Sequence, residues 1–228
     1  MAMNPALLLL ADSRLPAGGH AHSGGTEQAV TSGAVHDVPS LARFLRGRLH
    51  TAGTVAAALT AAACIQAATS SGWVMLDAEA DARTAAPAQR EASRTQGRLL
   101  LRVARRVWPS PVLDELARDV PNPHHPITLG VAAHAAGATP EEAAMAAAYH
   151  AISGPATAAV RLLGLDPVAV HGLMADLTPD LTAVAAQAHL AAADAHPHLW
   201  GTLPAYSSPA LDLLAEQHAR AEVRLFVS

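Results

Sequence analysis

Lysine is absent from this 228-residue chain, and all 15 basic side chains are arginine. Neither a Schiff base nor a phosphate-cradling P-loop lysine can form, which excludes a Walker-type nucleotide hydrolase. The one cysteine, Cys64, leaves no internal disulfide and no paired-cysteine metal knuckle. Within its alanine-rich stretch it reads as a small buried thiol. Aromatic residues make up 3% of the chain, while alanine is about a quarter of it. That bias removes strand formers and supplies the best helix former. Charged residues are also scarce, at 15% against 51% hydrophobic, which excludes a disordered chain. The net charge of −4 gives no global attraction for nucleic acid or an anionic membrane.

Long membrane-spanning runs are missing too. The N-terminal MAMNPALLLLADSR has no basic region ahead of its leucines and carries a proline, unlike a signal peptide. The region from Val55 to Ala68 is mostly alanine, interrupted by Thr60 and Gln66, and too weakly apolar for membrane residence. A cytoplasmic protein without membrane contact is expected. The length fits a single domain over residues 1–228.

Helix-start punctuation recurs along the chain. Ser110-Pro111, Thr139-Pro140, Asp166-Pro167, Thr178-Pro179 and Ser208-Pro209 each place a side-chain acceptor before a proline preset for the first helical turn. Glu142, three residues after Thr139, completes a capping box. These starts predict helices near 5–11, 26–32, 38–51, 54–70, 73–82, 87–108, 111–118, 126–136, 140–152, 155–164, 167–177, 179–195 and 209–221, some of which merge or fail. The fold class is therefore an all-α, single-domain bundle of roughly ten helices. Loops are expected at Ala17–Gly25, Asp119–Pro126 and His196–Pro209.

The candidate chemistry is thin. His20-x-His22 and His196-x-His198 each bring two imidazoles together, yet no cysteine or carboxylate stands at ligand spacing and HExxH is missing, so no metal site is assigned. Asp77, Glu79 and Asp81 imitate a calcium loop, but its sixth and twelfth positions are Ala82 and Ala88. There is no GxSxG elbow, and AGGHAHSGG does not match GxGxxG, so no catalytic or cofactor-binding residue is assigned and no enzyme is expected. Arg90, Arg94, Arg98, Arg102 and Arg106 form an i, i+4 series with Arg105 beside it, winding about 40° per step around a helix. This basic stripe is a solvated face, a surface for an acidic protein, or a contact for nucleic-acid phosphates. Negative net charge and the lack of interleaved aromatics favour the protein over a helical nucleic-acid-binding protein.

The run from Leu8 to Glu27, with its leucines, Pro16-x-Gly18-Gly19 and Ser23-x-Gly25-x-Glu27, resembles the opening of the urease accessory protein UreF family. Arg90-x-x-Ser93-x-x-Gln96-Gly97-Arg98-Leu99-Leu100, the stretch from Tyr149 to Ala159 with Arg161 and Leu162, and His218 followed by Arg224-Leu225-Phe226-Val227-Ser228 fall where that family has similar blocks. The chain departs from the family at His20 and His22, where aromatics are usual, and at Leu165-Asp166-Pro167, where Gly-Gln is common. The resemblance implies an all-α homodimer with no active site, no metal and no cofactor of its own. It would bind UreD (also called UreH) and the GTPase UreG, and the assembly would deliver nickel to apo-urease. It also implies partner-binding roles for Pro16, Gly18, Gly19, Ser23, Glu27, Arg98, Arg102, His218, Arg224, Leu225, Phe226 and Ser228. Physically, Gly97 inside a helix costs about 1 kcal/mol against alanine, which a closely packed neighbouring backbone would explain. Ordering Val223 to Ser228 costs roughly 1–2 kcal/mol per residue, against about 1.5–3 kcal/mol for each of Leu225 and Phe226 buried. That balance predicts a tail held loosely until a partner orders it.

Overall fold

The computed structural model describes residues 4–12, 14–69, 71–195 and 199–228, and among them there is no strand. The helices are α1 (Pro5–Ala11), α2 (Thr26–Thr31), α3 (Val38–Arg48), α4 (Thr54–Gln66), α5 (Trp73–Ala82), α6 (Pro87–Val107), α7 (Pro111–Asp119), α8 (His125–Ala135), α9 (Pro140–Leu163), α10 (Pro167–Asp176), α11 (Thr178–Asp194) and α12 (Pro209–Arg220). Cap chemistry sets several of these boundaries. Thr139 and Glu142 form the expected capping box, and Glu142 also accepts the Asn4 N–H at 2.9 Å, tying the start of α1 to the start of α9. The Asp166 side chain caps α10. Ser110 and Ser208 stand at their expected positions without a side-chain cap bond. Thr178 lies inside α11, because Leu177 ends α10 and begins α11 in one helical conformation.

α4 is the centre of the bundle. All but two of its thirteen residues are buried, and it packs against α8, α9 and α11. A helix apolar on every side belongs in a core, which is where this one lies. It continues α3 through a π-turn at Leu49–Gly53, so that Val38–Gln66 is one helix of 29 residues. By length and composition it could cross a membrane, but most of it is buried within the fold. The outer helices cover this centre: α6 lies on α8, α1, α2 and α3 lie on α9, and α12 lies on α6 and α2. A single hydrophobic cluster runs through them from Leu7 to Leu203.

The expected helices at 140–152 and 155–164 are one helix, with Pro155 in its interior. Proline removes the N–H that would bond the carbonyl four residues back, Ala151. Here the Arg48 Nε donates to that carbonyl at 2.8 Å, so the missing bond is replaced from α3. Arg48 also donates to the Gly24 carbonyl at 2.8 Å. One guanidinium thereby holds a proline-containing helix and the N-terminal loop together.

Small residues allow the close approaches at the centre. A Cβ at Gly130 would lie 2.2 Å from the Thr60 carbonyl oxygen, and one at Gly97 would lie 2.0 Å from that of Pro123. The backbone that the cost of Gly97 called for is thus the segment entering α8. We expect Gly97→Ala and Gly130→Ala each to lower stability by about 1–3 kcal/mol or more, because backbone must move. Gly172→Ala, in α10 with nothing near its Cβ position, should raise stability by up to about 1 kcal/mol. Urea unfolding midpoints of the three variants check this; equal effects at all three positions would refute the close-packing account.

Candidate functional site

Two segments far apart in sequence meet at one edge of the bundle. After α1 the chain turns through Pro16–Gly19, where Gly18 adopts a left-handed conformation (φ +78°) close against Leu99 of α6. A short 3₁₀ turn at Gly19–Ala21 then leads to extended backbone at His22. The segment after α12 runs alongside it. Val227 N–H donates to the Ala21 carbonyl at 2.7 Å, and Ser23 N–H donates to the Ser228 carbonyl at 2.5 Å.

Glu27, in the first turn of α2, fastens this tail. Its two carboxylate oxygens accept the N–H groups of Leu225 at 2.7 Å and Phe226 at 3.0 Å. His218, buried on α12, donates through Nε2 to the Phe226 carbonyl at 3.3 Å, and its Nδ1 lies 3.8 Å from Glu27 Oε2. His22 Nδ1 hydrogen-bonds the Ser228 hydroxyl at 2.6 Å. The loosely held tail expected from burial alone is therefore corrected: the chain's own polar groups hold it. The expectation weighed only apolar gain, whereas hydrogen bonds to a charged acceptor contribute about 1.5–3 kcal/mol each. Phe226 is buried, while Val223, Leu225 and Val227 remain exposed.

A cavity of about 560 Å³ lies beneath the clasp, bounded by α4, α6, α9, α12 and the tail, with His22, His125, His150 and Arg48 among its walls. Burial, reinforced by His150 and His22, pushes the His125 imidazole down to about 3. Burial also lowers His150, and lowers His22 with a contribution from His20. Arg48 is pushed down to about 10 by burial and stays charged at neutral pH. Cys64 lies elsewhere in the core, its thiol pushed up to about 12 by burial and Glu142, so it is an inert packing residue.

The failed calcium motif has a different role. Asp77 accepts the His124 N–H at 2.7 Å, and His124 Nε2 meets Asp81 at 2.8 Å while its Nδ1 meets Ser93 at 3.0 Å. Arg94 pairs with both Asp77, at 2.9 Å, and Asp81. Asp77, Asp81 and His124 could together ligate a cation, but the Arg94 guanidinium already pairs with both carboxylates. The group is an ion network that fixes α6 to α5 and to the start of α8.

Arg94 is thus spent inside the fold, and Arg90 donates to the carbonyls of Thr84 and Ala85. The continuous stripe read from the sequence is corrected to its second half. Of the expected partner residues, Ser23, Glu27, His218, Phe226 and Ser228 converge at the clasp; Leu225 is exposed beside it, and Arg224, also exposed, helps to line the cavity. Pro16, Gly18 and Gly19 lie on the neighbouring turn, and Arg98 and Arg102 are exposed on α6. Sequence reasoning missed Arg48, His125 and His150, which no local motif joins. His196 and His198 lie outside the described residues.

The fold and its joined ends define an all-α protein built around one buried helix, with its two terminal segments meeting at one edge of the bundle. The chain belongs to the UreF family, whose model matches residues 35–178. It is 44% identical over 222 residues to the urease accessory protein UreF of Mycolicibacterium vanbaalenii and 46% identical over 222 residues to that of Mycobacterium sp. strain JLS, with 97% of each chain covered. The UreF of Mycobacterium tuberculosis strain H37Rv is 41% identical over 225 residues, again with 97% of each chain covered. At 97% coverage these alignments take in the N-terminal turn, which the family model leaves out.

Glu27→Ala removes both acceptors of the tail. Amide exchange at Leu225 and Phe226 should quicken by about tenfold or more, with little change in the α4 core. Unchanged tail protection would show that backbone pairing alone suffices. Acid should also weaken the fold. His125 has an ordinary value near 6.5 when unfolded and a much lower one when folded, so stability present above about pH 6.5 is lost as pH falls toward the folded value. We expect His125→Asn to lose less of its urea midpoint than the parent between about pH 7.5 and 5; equal losses would remove His125 as a cause.

Proposed function

We propose that this protein acts in urease maturation as a non-enzymatic assembly factor. It joins UreD (UreH) and the GTPase UreG, and the complex promotes nickel insertion into apo-urease in the cytoplasm. The observation that carries this reading is the likeness to urease accessory proteins UreF over 97% of the chain. The absence of lysine is consistent with it, since nucleotide hydrolysis then belongs to a partner. In this reading the protein is a homodimer and has no active site of its own.

Residues of the two terminal segments divide by role. Leu225, Pro16 and Gly19 are exposed and touch the partner, as does Arg224, which is exposed and also lines the cavity. Ser23, Glu27, His218, Phe226 and Ser228 hold the tail in place and act through it. Gly18 positions the turn against Leu99.

Co-expression with cognate UreD and UreG, followed by sizing of the eluted complex, tests the assembly. Co-elution is expected, and the chain alone should have the mass of a dimer. Arg224→Ala with Leu225→Ala should weaken the complex by about tenfold or more, since exposed arginine and apolar anchors carry much of an interface. Failure of the parent chain to co-elute with either protein would overturn the proposal.

A further inference from the structure

Helix α6 carries its positive charge unevenly. Arg90 and Arg94 are bonded into the fold, whereas Arg98, Arg102, Arg105 and Arg106 are exposed. Among the described residues, Arg98, Arg102 and Arg106 make no side-chain hydrogen bond or ion pair; Arg105 pairs with Asp114 at 2.7 Å. Like charges four residues apart repel along a helix. In a chain of net charge −4 without lysine, this is a concentrated patch of uncompensated positive charge.

The surroundings select the partner. Between α6 and α7 lies a shallow trough of about 490 Å³, bordered by Arg98, Arg102, Arg105 and Arg106, with Leu101 and Ala117 supplying apolar surface. Asp114 on its α7 side is already paired with Arg105, so the charge left without a partner is that of Arg98, Arg102 and Arg106. A long phosphate backbone would extend past the three arginines over a chain of net charge −4, whereas an acidic protein segment can be confined to them. On the other side of α6, the Pro16–Gly19 turn packs on Leu99, so the face continues onto backbone.

We propose that Arg98, Arg102 and Arg106 form a docking face for an acidic helix of a partner protein. Their spacing is i, i+4, i+8, a repeat of about 6 Å along the axis. Carboxylates at every fourth position of a second helix have the same repeat, so a helix crossing α6 at about 50°, which brings the two rows into line, can present one to each guanidinium. Arginine favours such carboxylate contacts because its planar fork can donate two parallel bonds. The face is independent of the tail clasp, and its probe needs no urease component, so its failure and that of the proposed function are distinguishable.

The test uses the full chain and a labelled helical peptide of about twenty residues with glutamate at every fourth position. Its controls are the same peptide with glutamine and a duplex DNA of similar length, followed by fluorescence anisotropy. We expect saturable binding of the glutamate peptide, weakening by about tenfold or more when salt rises from about 50 to 200 mM. The glutamine peptide should bind at least about tenfold more weakly, as should the Arg98→Gln, Arg102→Gln, Arg106→Gln triple variant. The triple lysine variant, which keeps the charge, should retain binding within about threefold to tenfold. All three positions are exposed, so the helical spectrum should persist; if the glutamine variant misfolds, the peptide controls and lysine variant still decide. No saturable glutamate-peptide binding, equal affinity for the glutamine peptide, or tighter binding of the duplex would overturn the proposal.

Discussion

The fold depends on how closely backbones approach α4. Thr60 and Gly130 meet at a distance that no Cβ could share, while a Cβ at Gly53 would come within 3.2 Å of the Ala151 side chain. Such contacts restrict the facing positions to glycine and alanine, which is why composition is so skewed. With few large side chains to interdigitate, dispersion is gained by bringing main chains together. The cost is a set of polar groups near the core that must be satisfied, and Arg48 is the clearest response. It replaces the bond that Pro155 deletes and, through Gly24, aligns the N-terminal loop that receives the tail.

Most of the architecture was legible because helix starts are written locally. Proline at the first turn, the Thr139–Glu142 box and the Asp166 cap need only neighbours in sequence. Even the close approach at Gly97 could be inferred, since a costly residue in a helix calls for compensation. Pro155 was misread as a boundary because its compensation comes from Arg48, 103 residues away along the chain to the Ala151 carbonyl. The arginine series was misread as one stripe for the same reason: Asp77 and Asp81 neutralise Arg94 only after α5 folds beside α6.

The candidate site was legible in its members and illegible in its physics. The N-terminal block and the tail were both singled out, but nothing in either predicts that Glu27 fastens one to the other. Histidines separated by a hundred residues or more share a cavity wall, while the adjacent pair at His20 and His22 divides, His22 turning to Ser228 and His20 remaining exposed. Spacing rules identify ligand sets within one element; they have no purchase on groups assembled from several.

The clasp also sets an order of events. Glu27 and Leu225 are 198 residues apart, so their bond closes nearly the whole chain into a ring. Closing so large a loop is slow when the chain is open, but cheap once the bundle has brought the segments together. The clasp therefore depends on the bundle to bring its two halves within reach. Neither terminal segment can leave that edge without releasing bonds of the other, so the two ends of the chain keep or lose their conformation together.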